Sequence, residues 1–264
     1  IRDVVGRGEP RISIRYVDGT RLDLHCVSSA DFAVAWWRAT GSGSHLEDVR
    51  THANARGITF AGDTVRDPTG RRVEVDDETA LYDLLGLAFI PPELREGARE
   101  VEAAGRAGIP TLVEYADIRG VLHCHSRYSD GSATVAELAA AAQQRGWSYL
   151  GISDHSESAS YAGGLTRDDV AAQHEEIDRV NESLAGFRVL KGIEADILAD
   201  GRIDYDETIL ERFDYVIGSI HSRFSMDATQ MTQRVLTALH DPHLTILGHP
   251  TVRLLLTREP YAID

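Results

Sequence analysis

The sequence predicts an α/β fold from residue 118 onward, preceded by a small α+β region. After residue 118, short apolar stretches alternate with amphipathic ones, and this βαβα order favours a parallel sheet or barrel with right-handed crossovers. Before it, Asp18-Gly19 is a hairpin-turn signal between two strand-like stretches. With 264 residues, 42% of them hydrophobic, the chain can build one large domain or two small ones.

The α+β region should contain short helices with recognisable start signals. We expect Ser29 to cap the first helix, and Ser44 with Glu47 to form a capping box for the second. The predicted elements are strands over 11–16 and 21–27, helices over 29–41 and 44–57, a hairpin over 58–75, a helix over 77–86 and a linker over 98–117.

The α/β region is predicted to alternate five strands with four helices. Thr134 is followed three residues later by Glu137, which is the capping-box signal of a helix start. The strands are expected over 120–125, 149–153, 187–194, 215–221 and 245–249, and the helices from Thr134, Thr166, Glu207 and Ala228.

The composition indicates a cytoplasmic protein without a membrane segment. Cys26 and Cys124 stand in separate contexts, which does not suggest a disulfide framework and fits a reducing compartment. The longest apolar stretch, residues 84–92, is too short to span a bilayer, and the start carries no signal segment. Because the first residue is Ile1, we expect the chain to begin inside a longer protein.

The net charge of −15, from 27 basic and 42 acidic side chains, argues against a generic nucleic-acid binder, which usually carries a basic footprint. A local basic groove stays compatible with it, and carboxylates that hold divalent cations count here as bare negative charge. Apart from Lys191, every basic residue is arginine, whose planar guanidinium suits phosphate.

Seven polar residues lie at or just beyond the carboxyl ends of the five predicted strands. In barrels and open α/β sheets these ends meet on one face, where active sites are built. A strand period of two places His123 and His125 on the same side, so Cys124 should point the other way. The seven residues are His123, His125, Asp130, His155, Glu194, His221 and His249.

Five imidazoles and two carboxylates on one face suit Zn²⁺, Mn²⁺ or Fe²⁺ and are too nitrogen-rich for a typical Mg²⁺ or Ca²⁺ site. Their number exceeds what one ion needs, so we expect at least two ions, with Glu194 able to bridge them. Paired ions about 3.5–4 Å apart suit the hydrolysis of phosphate esters. One strand-end histidine is usually structural, whereas five in register favour a metal centre. The other six histidines do not lie at the ends of predicted strands, and we leave them as surface or local structure. They are His25, His45, His52, His174, His240 and His243.

The motifs around these residues resemble one family. They are His123-Cys-His125-Ser-Arg-Tyr-Ser-Asp130-Gly, Ser153-Asp-His155-Ser, Gly192-Ile-Glu194-Ala-Asp196-Ile, Gly218-Ser-Ile-His221-Ser and Leu247-Gly-His249-Pro250-Thr. Together they cover nearly all of residues 118–264 and resemble the polymerase-and-histidinol-phosphatase (PHP) superfamily, most closely its version at the C-terminus of bacterial family X DNA polymerases.

The PHP resemblance implies an incomplete, distorted βα barrel that holds two or three Mn²⁺ or Zn²⁺ ions, with Glu194, His221 and His123 as catalytic residues. The family completes its cluster with a later Asp-x-His pair, which we expect to lie beyond Asp264. The implied ligand sets are His123, His125 and Glu194 for one ion, Glu194, His221 and His249 for a second, and Asp130 and His155 for a third.

The first hundred residues resemble the polymerase part of the same family. Arg21-Leu-Asp23-Leu is similar to the palm strand that bears a catalytic carboxylate, Thr40-Gly41-Ser42-Gly-Ser-His45 with Val49-Arg50 to the nucleotide-side Gly-Ser motif, and 82–96 to the end of the thumb. The resemblance implies a palm remnant over 1–28, a thumb over 29–97, a linker over 98–117 and a PHP domain over 118–264.

The polymerase resemblance has departures. His25 stands where the family usually has Arg, Leu46 where Asn is common, and Arg38-Ala39 where aromatics are common. The palm's carboxylate pair is expected upstream of residue 1, and Asp23 alone cannot hold the two Mg²⁺ ions of a polymerase, so this sequence does not support polymerisation. Asp23 as a solvated strand-end carboxylate, and Gly41 with Ser42 as ordinary helix caps, are open alternatives.

The leading functional hypothesis is a DNA repair polymerase whose PHP domain is a metal-dependent 3′–5′ exonuclease and phosphoesterase. Its partners would be gapped or single-stranded 3′ ends of DNA and, for the whole polymerase, deoxynucleotides. The alternatives are a PHP phosphatase on a small phosphate monoester such as histidinol phosphate, and a non-catalytic metal-binding scaffold. The residues expected to contact DNA or nucleotide are Gly41, Ser42, Arg50, Arg253 and Arg258.

Overall fold

A computed structural model describes residues 3–8, 11–106, 108–254 and 257–264. The chain forms two compact units, Ile1–Leu112 and Val113–Asp264. No helix in the described ranges is long and apolar enough to cross a bilayer.

The first unit begins with a three-stranded antiparallel sheet in the order β1-β2-β3. Gly19 adopts φ 91° in the turn before the third strand, which only glycine does without strain, so the predicted hairpin is confirmed. Ser13 pairs with Asp23 across two strands, and Ile12 pairs with Leu24, which places polar and apolar side chains on opposite faces. The strands are β1 (Asp3–Gly8), β2 (Arg11–Arg15) and β3 (Arg21–His25).

Two predicted helix caps in the first unit are wrong. Ser29 begins a 3-10 turn, and the helix α1 (Phe32–Thr40) starts behind Asp31. Helix α2 (Gly43–Asn54) is capped by Ser42, whose hydroxyl accepts the backbone N–H of His45 at 3.2 Å. The Ser-Gly-Ser sequence offers two cap candidates, and the extended backbone of Ser42 makes it the cap while Ser44 lies inside the helix.

Among the described residues, the rest of the first unit is a small three-stranded sheet, two α-helices and a 3-10 turn at Pro92–Leu94. The predicted helix from Asp77 is confirmed, because the Asp77 carboxylate accepts the N–H of Ala80 at 2.8 Å. A short helix lies inside the predicted linker, with Val101 and Ala104 buried in the core of this unit. The elements are β4 (Thr59–Ala61), β5 (Thr64–Arg66), β6 (Arg72–Val73), α3 (Glu78–Leu84) and α4 (Glu100–Ala104).

The second unit is built on a five-stranded parallel sheet whose spatial order, β11-β10-β9-β8-β7, follows the chain. All five predicted strands and four predicted helices are present, and the curled sheet fits an incomplete βα barrel of the PHP type. Thr134 and Thr166 each form a capping box, with Glu137 and Asp169. The elements are β7 (Gly120–Cys124), α5 (Val135–Gln144), β8 (Tyr149–Ile152), α6 (Arg167–Glu182), β9 (Arg188–Asp196), α7 (Glu207–Leu210), β10 (Tyr215–Ser219), α8 (Ala228–Leu239) and β11 (Leu244–Leu247).

One side chain reaches across the inner face of this sheet. The buried ring of Tyr215, on β10, packs over Gly192 of β9 and Gly151 of β8, where a Cβ at either glycine would collide with the ring. Its hydroxyl donates to the backbone carbonyl of Leu122 on β7 at 2.6 Å. Tyr215 therefore connects four neighbouring strands, and the carboxyl ends of these strands lie side by side.

Candidate metal centre

The predicted strand-end residues converge on Glu194, which lies near the end of β9, the middle strand, and is 1% exposed. Its Oε1 faces three histidines and its Oε2 faces two. The Nε2 atoms of His123, His221 and His249 lie 3.2, 3.3 and 2.8 Å from Oε1, and Nε2 of His125 and Nδ1 of His155 lie 3.4 and 3.1 Å from Oε2.

The remaining carboxylate, Asp130, comes from the loop after β7. Its oxygens lie 2.9 Å from Nδ1 of His125 and 3.6 Å from Nε2 of His155. The loop is tight, since the N–H of Gly131 donates to the carbonyl of Ser126 at 2.9 Å. All seven predicted residues thus face one shared cluster.

Within this cluster, three sets of residues offer potential ligand atoms that lie within 4.8 Å of one another. The first agrees with the predicted set for one ion. In another, His155 rather than His249 joins Glu194 and His221, and among the described residues no such set contains His249. His249 follows β11 and has a backbone φ of 21°, which residues other than glycine rarely adopt. The sets are His123, His125 and Glu194; His125, Asp130 and His155; and His155, Glu194 and His221.

The electrostatics of the cluster stabilise negative charge on Glu194. Burial raises the pKa of its carboxyl, but hydrogen bonds from His123, His221 and His249 together lower it by more, so the pKa lies far below its usual range. Burial lowers the pKa of His221, whereas its hydrogen bond to Asp196 and its contact with Glu194 raise it, to about 9 overall. Burial lowers the pKa of His155.

The donor set fits divalent cations. Nδ1 of His155 is buried 3.1 Å from Glu194, and no described residue makes a hydrogen bond with it, so its lone pair or proton is available to a ligand. Five imidazoles around two carboxylate oxygens outnumber the hydrogen bonds that those oxygens can accept with good geometry. Imidazole and carboxylate are ligands that Zn²⁺ and Mn²⁺ accept, and the cluster therefore suits divalent metal binding.

Two residues of the site were not predicted. Asp196 accepts a hydrogen bond from Nδ1 of His221 at 2.7 Å, if that nitrogen carries the proton, and the period of two from Glu194 on the same strand could have indicated it. Tyr161 is 70% exposed at the mouth, with its ring centroid 6.1 Å from that of His155 and 6.3 Å from that of His221. Its loop, residues 156–165, gave no sequence signal.

Asp23, predicted as a polymerase carboxylate, lies on the edge strand β3. Its oxygens accept hydrogen bonds from Arg11 at 2.7 Å, from Arg21 at 3.1 Å and from the hydroxyl of Ser13. The hydrogen bond from Arg11, followed by that from Ser13, lowers the pKa of Asp23 below its usual range. These partners occupy the carboxylate, and its predicted catalytic role stays a prediction.

The residues predicted to contact DNA lie on both units. Gly41 ends α1 and Ser42 caps α2, whose first residues Gly43 and Ser44 are exposed, as expected for a helix N-terminus that meets phosphate. Of the three arginines, Arg50 is half-buried on α2, Arg253 is exposed, and Arg258 stacks on the Phe224 ring with 4.4 Å between guanidinium and ring centroid.

Comparison with known proteins gives matches in both units. Residues 35–96 match the model of the DNA polymerase beta thumb family, and residues 122–251 match that of the PHP domain family. DNA polymerase/3′-5′ exonuclease PolX of Bacillus subtilis is 37% identical over 269 residues, which cover 100% of this chain and 46% of that protein.

Shorter matches lead to phosphatases. A probable phosphatase of Photobacterium profundum is 35% identical over 134 residues, 48% of this chain and 51% of that protein. A probable phosphatase of Caldanaerobacter subterraneus is 39% identical over 75 residues, 27% of this chain and 30% of that protein. The chain thus spans about half or less of the length of these curated relatives.

Proposed function

This chain belongs to the PHP superfamily in its PolX-type form, a polymerase thumb followed in sequence by a PHP domain, and from that premise we propose that its PHP domain is a metal-dependent 3′–5′ exonuclease on DNA. Its substrates would be single-stranded or gapped 3′ ends, and its setting DNA repair in the bacterial cytoplasm. The Bacillus subtilis relative is named as a 3′-5′ exonuclease, and its alignment with this chain covers the chain's entire length.

The proposal depends on one observation: the two carboxylate oxygens of Glu194 face two different groups of histidines. Oε1 faces His123, His221 and His249, and Oε2 faces His125 and His155, so each oxygen can contact a different ion. Divalent ions held by Glu194 and these histidines would activate water as a nucleophile at neutral pH and would stabilise the charge of a phosphodiester. The protein contributes the spacing of the ligands and a buried carboxylate that stays charged. Mn²⁺ or Zn²⁺ suits this donor set, and Mg²⁺ is left to the polymerase part.

A nucleic-acid substrate is supported by the mouth of the site as well as by the thumb. Tyr161 presents an exposed ring beside His155 and His221, and base stacking on such a ring contributes about 1–3 kcal/mol to single-strand binding. Arg258, held by stacking on Phe224, offers a positioned guanidinium for a phosphate.

The test is an assay of the full-length protein on 5′-labelled single-stranded and gapped DNA across a Mn²⁺ titration. We expect stepwise shortening from the 3′ end, loss of activity with a chelator, and a loss of about a hundredfold or more in Glu194→Gln, which keeps size but removes the bridging charge. Full activity of Glu194→Gln at saturating Mn²⁺ would contradict the bridging role. Activity that a chelator leaves intact would contradict the metal mechanism.

The second candidate is a phosphatase on small monoesters, which the similarity to probable phosphatases favours. The same preparation is therefore assayed on histidinol phosphate, with Tyr161→Ala beside the wild type. An exonuclease should lose activity on DNA in Tyr161→Ala and keep its slow hydrolysis of the monoester. Faster turnover of the monoester than of DNA, with no effect of Tyr161→Ala, would decide for the phosphatase.

A further inference from the structure

Asp154 is a fully buried carboxylate that directly precedes His155 of the metal centre, and it belongs to none of the three candidate ligand sets. Five hydrogen bonds occupy it. Oδ1 accepts the backbone N–H groups of Ser126 at 2.7 Å and Ser129 at 3.2 Å, together with the Ser129 hydroxyl at 2.5 Å. Oδ2 accepts the Ser126 hydroxyl and the side-chain amide of Gln173, each at 2.6 Å. We call these four residues the Asp154 network.

Three of the four members of the Asp154 network are chain neighbours of one candidate ligand set. Ser126 directly follows His125, Ser129 directly precedes Asp130, and Asp154 directly precedes His155. The ligand atoms of those three neighbours lie within 4.8 Å of one another. One carboxylate thus fixes the backbone at all three points from which this set projects.

Packing alone does not account for this arrangement. A buried carboxylate is costly unless hydrogen bonds compensate it, and an apolar residue of similar volume avoids that cost. Asp130 itself is 51% exposed, so contacts of its own side chain with a core cannot hold it in place. Instead, the backbone N–H groups of Ser126 and Ser129 hold the loop that bears Asp130 by donating hydrogen bonds to Asp154.

We infer that Asp154 is a positioning residue that assembles the His125, Asp130 and His155 set for one divalent ion. It acts through Ser126 and Ser129, which hold the loop so that Asp130 faces His125 and His155. The remaining sets share Glu194, whose position depends on the strand β9 rather than on this loop. Loss of the Asp154 network should therefore weaken this ion site most, because all three of its ligands are chain neighbours of the network, whereas each of the other sets contains only one such ligand and keeps Glu194. This inference rests on the proposed metal-dependent function.

The experiment measures Mn²⁺ binding to the purified protein by isothermal titration calorimetry, with electron paramagnetic resonance of the bound Mn²⁺ as a second readout. The variants are Ser126→Ala/Ser129→Ala, which removes two hydroxyl donors, and Asp154→Asn, which removes the charge and keeps the shape. Ser132→Ala is the matched control, because this exposed serine of the same loop makes no side-chain hydrogen bond within the described residues. Circular dichroism melts of the metal-free proteins report folding independently.

We expect one Mn²⁺ per chain to bind about 10–100-fold more weakly in both variants, with the serine pair still folding at a lowered melting temperature and Ser132→Ala equal to the wild type. The resonance signal of coupled Mn²⁺ ions should shrink in proportion to the lost ion. Equal Mn²⁺ affinity in the wild type and the folded serine pair would overturn the inference. A wild type that binds no Mn²⁺ would reject the proposed function instead, so the two failures are distinguishable.

Discussion

Each unit of the molecule contains a histidine whose Nδ1 lies 2.7 Å from a buried carboxylate: His45 with Glu100 in the first unit, and His221 with Asp196 in the second. The pairs differ at the other ring nitrogen. Nε2 of His45 lies 3.3 Å from the indole nitrogen of Trp37 and 3.0 Å from the Tyr82 hydroxyl, inside a core. Nε2 of His221 lies 3.3 Å from Glu194 in a cluster of other histidines.

The partner of the second ring nitrogen therefore distinguishes a structural histidine from one that is placed to bind a metal ion. His45 has partners for both nitrogens and is 0% exposed, so it completes a polar network within a core. Asp196 contacts Nδ1 of His221 and orients the ring so that Nε2 faces Glu194, which is the arrangement of a metal-binding imidazole. The electrostatics follow the same division, since burial lowers the pKa of His45 while Asp196 and Glu194 raise that of His221 to about 9 against the effect of burial.

The largest expected effect is on stability, from His45→Ala. The substitution leaves a cavity in place of the buried ring and removes the side-chain hydrogen bond to Glu100, which together cost about 3–5 kcal/mol. Urea unfolding monitored by tryptophan fluorescence should show this loss of unfolding free energy, while Mn²⁺ binding per folded molecule is unchanged. If His45→Ala kept its unfolding free energy and bound Mn²⁺ more weakly, the structural role of His45 would be contradicted.

His221→Ala should have the opposite profile. The unfolding free energy changes little, and nuclease activity at low Mn²⁺ falls about a hundredfold because one ion site loses a ligand. Excess Mn²⁺ should restore part of the activity, since the other ligands of Glu194 survive. Activity curves across a Mn²⁺ titration measure this, and a loss that no Mn²⁺ concentration relieves would count against a ligand role.

The first unit should lose stability on acidification. The folded-state pKa of His45 lies below its ordinary value of 6.5, so below pH 6.5 the unfolded chain takes up a proton that the folded chain excludes. The pKa of Glu100 is also lowered, with its hydrogen bonds outweighing burial, and this adds a loss in the same direction at lower pH. The slope from His45 alone approaches about 1.4 kcal/mol per pH unit. Urea midpoints between pH 7 and 5 should follow this slope, and His45→Gln should flatten it.

The smallest expected effect is that of Asp196→Asn. The amide keeps a contact with His221 but no longer favours the orientation and basicity of its ring, so we expect about a tenfold loss of Mn²⁺ affinity at one site. Calorimetric titration checks this, and Asp200→Asn, on an exposed carboxylate four residues further on, is the control. Equal losses in both variants would show a general effect of charge.

The sequence was sufficient wherever a local signal and a chain-wide rule agree. Parallel strands bring their carboxyl ends together, so strand register alone predicts that His123, His155 and Glu194 share one face of the sheet. The Thr-x-x-Glu and Thr-x-x-Asp boxes likewise predict the starts of α5 and α6.

The parts that sequence reasoning missed depend on tertiary contacts. Ser42 and Ser44 are chemically equal as caps, and only the extended backbone of Ser42 distinguishes them. Helix α4 has a charged, glycine-flanked sequence typical of a linker and is held by the burial of Val101 and Ala104. Tyr161 reaches the site through the fold of its loop, which carries no periodic signal.

Tyr215 has a consequence for how this protein can change over evolutionary time. The ring needs glycine at both 151 and 192, and its hydroxyl needs the carbonyl of residue 122. Three positions on three strands are therefore interdependent: a methyl group at either glycine is harmful while the tyrosine is present, and loss of the tyrosine opens a void between the strands. We expect related sequences to change the residues at positions 151, 192 and 215 together and not one at a time.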